Sequence, residues 1–134
     1  MVVMASILVM DDDPQIRRMV VKALAIQNHA IREAENGIEG LSLLRKQRAD
    51  LVISDIFMPK KEGIETILEI RRIAPHTKII AISGGGFSGR GGYLAMAEKL
   101  GADRIMQKPL RINEFLSVVT ELLKHSDVPV AAAE

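Results

Sequence analysis

The sequence contains no cysteine and no tryptophan, and aromatic residues account for only 3% of its 134 residues. Without cysteine, the chain can form neither a disulfide framework nor a thiolate metal site. Its charges nearly balance, with 18 lysines and arginines against 17 aspartates and glutamates. It therefore lacks the basic excess of proteins that bind nucleic acid or anionic membranes, and we expect neither as a partner.

A long hydrophobic run is missing as well. The apolar opening at residues 2–10 is too short to span a bilayer, has no basic segment before it and ends at three aspartates. We therefore expect a cytoplasmic location. A chain of this length can bury one good core, so we predict a single domain at residues 1–125. Residues 126–134, with one proline and three alanines, are predicted to form a disordered tail.

Short apolar runs and helix-patterned stretches alternate along the whole chain. The apolar runs predict strands at 5–10, 30–34, 51–54, 78–82 and 104–107. The second of these should be an edge strand, because charged residues interrupt it. Each strand is followed by a predicted helix, which implies an α/β fold with a parallel sheet covered on both faces.

Apolar residues at helical spacing mark the five helices, which lie near Pro14, near Ile38, at 64–73, at 93–100 and near Ile112. Asp13 followed by Pro14 is typical of a capped helix start. In the first helix, the residues expected to face the sheet are Ile16, Met19, Val20, Ala23 and Leu24. In the third helix, the residues expected on one side are Ile64, Ile67, Leu68 and Arg71.

Chemically distinctive residues lie where the predicted strands end. Asp11 and Asp12 follow the first strand, Asp55 the third, Ser83 the fourth and Lys108 the fifth. Because ligands bind at the carboxyl ends of parallel strands, these side chains should gather at one edge of the sheet. A carboxylate can attack phosphorus, and Mg²⁺ bound by carboxylates relieves the repulsion of an anionic donor. The set suits a magnesium-dependent phosphoryl acceptor.

These residues in this order, with Met58, Pro59 and Gly63 after the central aspartate and Pro109 after the lysine, resemble the receiver domain of two-component response regulators. The resemblance extends to about Lys124. It implies a stand-alone, chemotaxis-regulator-like receiver with a flavodoxin-like (βα)5 fold, a doubly wound parallel sheet of strand order 2-1-3-4-5.

The resemblance also implies a metal site. Asp55 would be the phosphoacceptor and, together with Asp12, a direct ligand of Mg²⁺. Asp11 would act mainly through water, and the backbone carbonyl of Phe57 would complete the protein's share of the ligands.

Two further residues receive roles from the resemblance. Lys108 would place its charge on a phosphoryl oxygen, and a cis Lys108–Pro109 bond would aim it. Ser83 would donate to another phosphoryl oxygen and draw the following loop inward.

The implied donor is a sensor histidine kinase or a histidine phosphotransfer protein. The implied receiver of the signal is an unknown output protein, which would contact the surface made by the fourth helix, fifth strand and fifth helix. Such a chain is a signalling domain that catalyses its own phosphorylation and dephosphorylation, and not an enzyme in the usual sense. We expect a monomer or a weak dimer.

The chain departs from the family pattern in the switch region. The position three residues before Lys108 usually holds an aromatic that turns inward, but here it is Ile105. Tyr93 or Phe87 is the alternative candidate for the aromatic residue that turns inward. The glycine-dense stretch that begins with Gly84 and Gly85 fits neither the Walker nor the dinucleotide pattern, so we interpret it as a mobile loop. Gly84 would leave the phosphoryl pocket open.

Two other functions remain open on the sequence. The pair Asp11 and Asp13 resembles the nucleophile motif of haloacid-dehalogenase-type phosphatases, with Asp11 as the nucleophile. Against this stand the proline after Asp13, the absence of a late acidic pair after Lys108 and the lack of room for a cap domain. The second alternative is a binding module that works without phosphorylation.

Overall fold

The structure is a computed structural model that describes residues 5–56, 63–83, 99 and 101–124. Its strands are β1 Ser6–Met10, β2 Ala30–Ala34, β3 Leu51–Asp55, β4 Lys78–Ser83 and β5 Arg104–Gln107. Its helices are α1 Pro14–Ala25, α2 Gly37–Lys46, α3 Gly63–Ile73 and α4 Ile112–Lys124. Of the helix predicted at 93–100, only Lys99 is described, and it is helical and exposed. The predicted tail at 126–134 lies outside the described residues.

All five strands are parallel, and their order is β2-β1-β3-β4-β5. This confirms the predicted flavodoxin-like sheet. The register pairs Met10 with Ser54 and Ser83 with Gln107, so β4 and β5 end level and β3 runs one residue beyond β1. The residues that follow these strands therefore share one edge of the sheet.

The sheet is covered on both faces because its strand residues alternate between two cores. One core lies under α1 and α4 and contains Val9, Ile53, Val20, Leu24, Phe115 and Val119. The other lies under α2 and α3 and contains Leu8, Val52, Leu41, Leu44, Ile67 and Ile70. Burial of each such side chain stabilises the fold by roughly 1.5–3 kcal/mol. The two cores hold the central strands, and with them the strand ends, in fixed positions.

One of the predicted sheet-facing positions is wrong. Met19 is 38% exposed, whereas its neighbour Val20 is 1% exposed. On the predicted side of α3, Ile67 is 1% exposed but Leu68 is 50% exposed. Successive helical residues point about 100° apart, so a residue beside the centre of the buried stripe can turn outward. Two strands also run one residue further than predicted, since Asp55 and Ser83 belong to β3 and β4.

Asp13 caps α1 as predicted. Its side chain accepts hydrogen bonds from the backbone N–H groups of Gln15 (2.9 Å) and Ile16 (3.4 Å), and Pro14 occupies the start of the helix. The cap fixes where the helix leaves the strand end at Met10. No helix in the described ranges is long and apolar enough to cross a membrane.

A half-buried arginine links the elements at the opposite edge of the sheet, where β4 and β5 begin. Arg71 of α3 donates to the carbonyl oxygens of Gly101 (2.9 Å) and Thr77 (2.8 Å) and to Asp103 Oδ2 (2.8 Å). Asp103 Oδ2 also accepts from the N–H of Ile79 at 2.8 Å. Gly101 has a φ of +97°, and a Cβ there would meet the Arg71 side chain, so glycine is required on both grounds.

We predict that Gly40→Ala destabilises the protein although alanine favours helix. A Cβ at Gly40 of α2 would come within 2.8 Å of Cγ of Met10, which is 1% exposed. The overpacking should cost about 1–3 kcal/mol, against about 1 kcal/mol gained in helix propensity. Urea denaturation should show a net loss of stability.

The matched control is Ser42→Ala on the exposed side of the same helix, which should stabilise by a few tenths of a kcal/mol. A double-mutant cycle with Met10→Ala should give a favourable coupling energy, because the shortened side chain makes room. Equal effects of the two alanine substitutions would contradict the packing argument.

Candidate functional site

Asp11 lies directly after β1 and is 2% exposed. Its backbone N–H donates to the carbonyl oxygen of Ala34 at 3.1 Å, which extends the pairing of β1 with β2 by one residue. Its Oδ1 accepts a hydrogen bond from the N–H of Asp13 at 2.9 Å. The same turn that caps α1 therefore holds this carboxylate inside the protein. Asp12, between them, is exposed.

Asp55 and Lys108 meet across two strand ends. Asp55 closes β3 and is 4% exposed. Lys108 follows β5, and its backbone N–H donates to the carbonyl oxygen of Ser83 at 2.9 Å. Its Nζ lies 3.0 Å from Asp55 Oδ2 and 3.4 Å from Asp11 Oδ2. The Lys108–Pro109 peptide bond is cis, as expected. One ammonium group thus contacts both buried carboxylates.

The charges of the site act on each other at short range. Burial raises the pKa of Asp11, and the charge of Asp55 raises it further, while the Asp13 N–H and Lys108 act in the opposite direction. Burial alone would lower the pKa of Lys108, but its hydrogen bond to Asp55 and the charges of both aspartates raise it. With Asp12 included, three carboxylates face one ammonium, so two negative charges lack a counter-charge within this cluster.

The cluster fits a divalent cation of the magnesium type. Carboxylate oxygens of Asp11, Asp12 and Asp55 all lie within 4.8 Å of one another. In an octahedral Mg²⁺ site the ligand oxygens are about 3–4 Å apart, and several positions are usually held by water. Among the described residues, Asp11 Oδ2 is a buried side-chain oxygen that accepts no hydrogen bond. Lys108 Nζ lies 3.4 Å from this oxygen as an ion pair, which leaves room for a hydrogen bond from a metal-bound water.

Of the other predicted site residues, Ser83 and Ile105 lie within the part of the chain that the structure describes. Ser83 is 1% exposed and lies one residue beyond Ile82, the strand partner of Asp55. Ile105 pairs with Ala81 and packs partly buried against the core under α2 and α3. Outside the described residues lie Phe57, Gly84, Gly85, Phe87 and Tyr93.

Sequence reasoning missed a side chain that contacts the backbone of the acidic turn. Arg17 of α1 donates from Nη1 to the carbonyl oxygen of Asp11 at 2.6 Å, and its Nε lies 3.0 Å from Glu33 Oε1. A signal was present, because helix starts favour acidic residues and α1 has none in its first turn. A cation at that position needs a partner, and the sequence does not say which one.

A comparison with known families and proteins agrees with this geometry. The family model described as the response regulator receiver domain matches residues 7–120. The "DNA-binding transcriptional regulator NtrC" of Azospirillum brasilense is 32% identical over 127 residues, which cover 95% of this chain and 26% of that protein. The "Sensor kinase CckA" of Brucella abortus is 29% identical over 128 residues, covering 92% of this chain and 13% of that protein. The chain thus spans about a quarter or less of these relatives.

A solved structure covers nearly its whole length. The CheY-like response regulator receiver domain protein of Methanospirillum hungatei superposes with a TM-score of 0.83 at 25% identity. The match covers 90% of this chain and 94% of that one.

We predict that Asp11→Asn stabilises the protein in the absence of divalent cations. The substitution removes a buried charge that faces Asp55 and leaves the 3.0 Å contact between Lys108 and Asp55 in place. Relief of this kind is typically worth about 0.5–2 kcal/mol, which corresponds to a thermal midpoint higher by about 2–6 °C. The midpoint should be measured in the presence of a chelator.

The pH dependence follows from the raised pKa of Asp11. The folded state holds this proton more tightly than the unfolded state, so ionised Asp11 costs stability at neutral pH. The difference in thermal midpoint between Asp11→Asn and the wild-type protein should therefore shrink as the pH falls from about 7 towards the pKa of folded Asp11. Asp12→Asn at the exposed neighbour is the control and should change the midpoint less. A lower midpoint for Asp11→Asn at neutral pH would show that the carboxylate stabilises the fold.

Proposed function

The chain belongs to the family of response regulator receiver domains, and from this membership we propose that it accepts a phosphoryl group on Asp55 in a magnesium-dependent reaction. The observation that carries the proposal is the contact of Lys108 Nζ with the two buried carboxylates, at 3.0 Å from Asp55 and 3.4 Å from Asp11. Two buried carboxylates brought to one lysine at the carboxyl ends of neighbouring strands form a charged cluster that a plain structural role does not require.

In the proposed reaction a carboxylate oxygen of Asp55 attacks the phosphorus atom of the donor. The bond between phosphorus and the donor atom breaks as the new O–P bond forms, and the donor leaves with that electron pair. Lys108 is placed to donate a hydrogen bond to a phosphoryl oxygen, since its Nζ already donates to Asp55 Oδ2. Hydrolysis of the aspartyl phosphate would return Asp55 to its starting state.

A bound Mg²⁺ would neutralise phosphoryl oxygens as they approach the carboxylates. We assign Asp12 and Asp55 as its direct ligands, with Asp11 acting through water and the Phe57 carbonyl as a further ligand. Supporting this are the shared span of the three carboxylates and the buried Asp11 Oδ2, which accepts no hydrogen bond among the described residues. The exposure of Asp12 fits a ligand reached from solvent.

The proposed donor is a sensor histidine kinase or a histidine phosphotransfer protein, and the proposed compartment is the cytoplasm. Ser83 would donate its hydroxyl to a phosphoryl oxygen and draw the loop that follows β4 inward. The backbone contact from Lys108 to Ser83 supports this, because it joins the ends of β4 and β5. The signal would leave through the surface of the fourth predicted helix, β5 and α4 to an output protein.

The phosphatase alternative loses support at Asp13. In that reading Asp13 belongs with Asp11 to the nucleophile motif. Its side chain instead accepts two backbone hydrogen bonds as the cap of α1. Asp11, the alternative nucleophile, is more deeply enclosed than Asp12. The capping role of Asp13 therefore supports the receiver function over the phosphatase.

The proposal predicts one phosphoryl adduct when the protein is incubated with Mg²⁺ and acetyl phosphate. Intact mass spectrometry should detect it in the wild-type protein, and it should disappear in Asp55→Asn and in the presence of a chelator. Lys108→Met should reduce its formation by about 100-fold or more, since an electrostatic donor of this kind is typically worth several kcal/mol.

Glu65→Gln is the matched control, because Glu65 is an exposed carboxylate in the first turn of α3. It should form the adduct at the wild-type rate. An adduct that persists in Asp55→Asn but is lost in Asp11→Asn would move the nucleophile to the end of β1 and refute the assignment.

A further inference from the structure

Arg17 and Glu33 form a link between α1 and the edge strand β2 behind the acidic turn. The Arg17 side chain is 19% exposed and that of Glu33 is 49% exposed. Arg17 uses two separate nitrogens, with Nη1 on the Asp11 carbonyl oxygen at 2.6 Å and Nε on Glu33 Oε1 at 3.0 Å. A guanidinium group can hold two acceptors in a fixed relative geometry, which an ammonium group cannot.

The carbonyl oxygen that Arg17 holds belongs to the peptide unit joining Asp11 to Asp12. This unit is planar, so fixing its oxygen also fixes the N–H and the Cα of Asp12. The Asp11 side of the turn is already held, because its N–H donates to Ala34 and its Oδ1 accepts from Asp13. Asp12 itself is exposed. Arg17 therefore holds the backbone from which the Asp12 side chain projects.

We propose that Arg17 is a positioning residue that holds the Asp12 carboxylate in place for Mg²⁺ by fixing the Asp11–Asp12 peptide. The inference rests on the function proposed above, which makes Asp12 a metal ligand. Arg17 does not touch the metal or the phosphoryl group. It acts through the backbone, and Glu33 holds its guanidinium in position.

The electrostatic effect of Arg17 and its proposed positioning effect change Mg²⁺ affinity in opposite directions. Arg17 is a cation close to a cation-binding site, so its removal should strengthen Mg²⁺ binding if only the electrostatic potential mattered. If Arg17 positions Asp12, its removal weakens binding, because the ligand then has to be ordered at the moment of binding. Supporting contacts around metal ligands are typically worth 10–100-fold in affinity. The sign of the change therefore separates the two explanations.

The test is a Mg²⁺ titration of the unphosphorylated protein, followed by the backbone amide shifts in NMR spectra. Arg17→Met should raise the dissociation constant of Mg²⁺ by about 10-fold. Arg17→Lys should raise it by a smaller factor, because the charge stays but the two-acceptor geometry is lost. Arg18→Met, at the exposed neighbouring position, removes the same charge and should leave the constant unchanged or slightly lower.

A second measurement separates positioning from loss of fold. At saturating Mg²⁺, phosphorylation of Arg17→Met by acetyl phosphate should approach the wild-type rate, because the cation then compensates for the poorly held ligand. An Arg17→Met that binds Mg²⁺ as tightly as the wild type, or more tightly, overturns the proposal. If Arg17→Met does not fold, unchanged Mg²⁺ affinity in Arg17→Lys overturns it equally.

If the proposed metal-binding function itself is wrong, the Mg²⁺ affinities of the Asp12 and Arg17 variants follow a different pattern. If Asp12→Asn binds Mg²⁺ as tightly as the wild-type protein, the metal assignment itself is wrong and the positioning role falls with it. If Asp12→Asn weakens binding and the Arg17 variants do not, the metal assignment stands and only the role of Arg17 is refuted.

Discussion

The rest of the site depends on one ammonium group placed between two buried carboxylates. Lys108 Nζ lies 3.0 Å from Asp55 Oδ2 and 3.4 Å from Asp11 Oδ2, and both aspartates are less than 5% exposed. Two buried carboxylates repel each other at short range, and a cation placed between them reduces that repulsion. The strand order allows this placement, because β1 and β3 are neighbours and only β4 separates β3 from β5. A long lysine side chain after β5 can therefore reach both aspartates.

Lys108 offsets only part of the electrostatic cost of burying Asp11 beside Asp55, and the remaining cost favours the binding of a cation. Burial and the charge of Asp55 raise the pKa of Asp11, so the folded protein carries a local electrostatic cost at neutral pH. Two packed cores on either side of the sheet can support that cost. A divalent cation would remove it, and an incoming phosphoryl group could then approach Asp55. The contact of Arg17 with the Asp11 carbonyl oxygen extends the same arrangement to the backbone, where the one exposed carboxylate has to be held.

Most of the fold could be predicted because its signals are local and repeated. Buried strands are continuous apolar runs, helices carry apolar stripes, and the distinctive side chains follow the strands. Met19 was misplaced because periodicity gives the centre of a helix stripe but not its width. The contacts of Arg17 and Arg71 could not be predicted, since their partners are mostly backbone carbonyl oxygens. Every residue has such an oxygen, so the sequence carries no sign of which ones an arginine will find.

The central claim is that the carboxylate at the end of β3 carries the phosphoryl group. The most direct test is to phosphorylate the protein with acetyl phosphate and Mg²⁺ and to reduce it with borohydride, which converts an acyl phosphate to an alcohol and so marks its side chain. Peptide mass spectrometry then locates the mark. The account predicts a single reduced residue at position Asp55. A mark at Asp11, or a stable phosphate on a serine or threonine with no reduced aspartate, would contradict it.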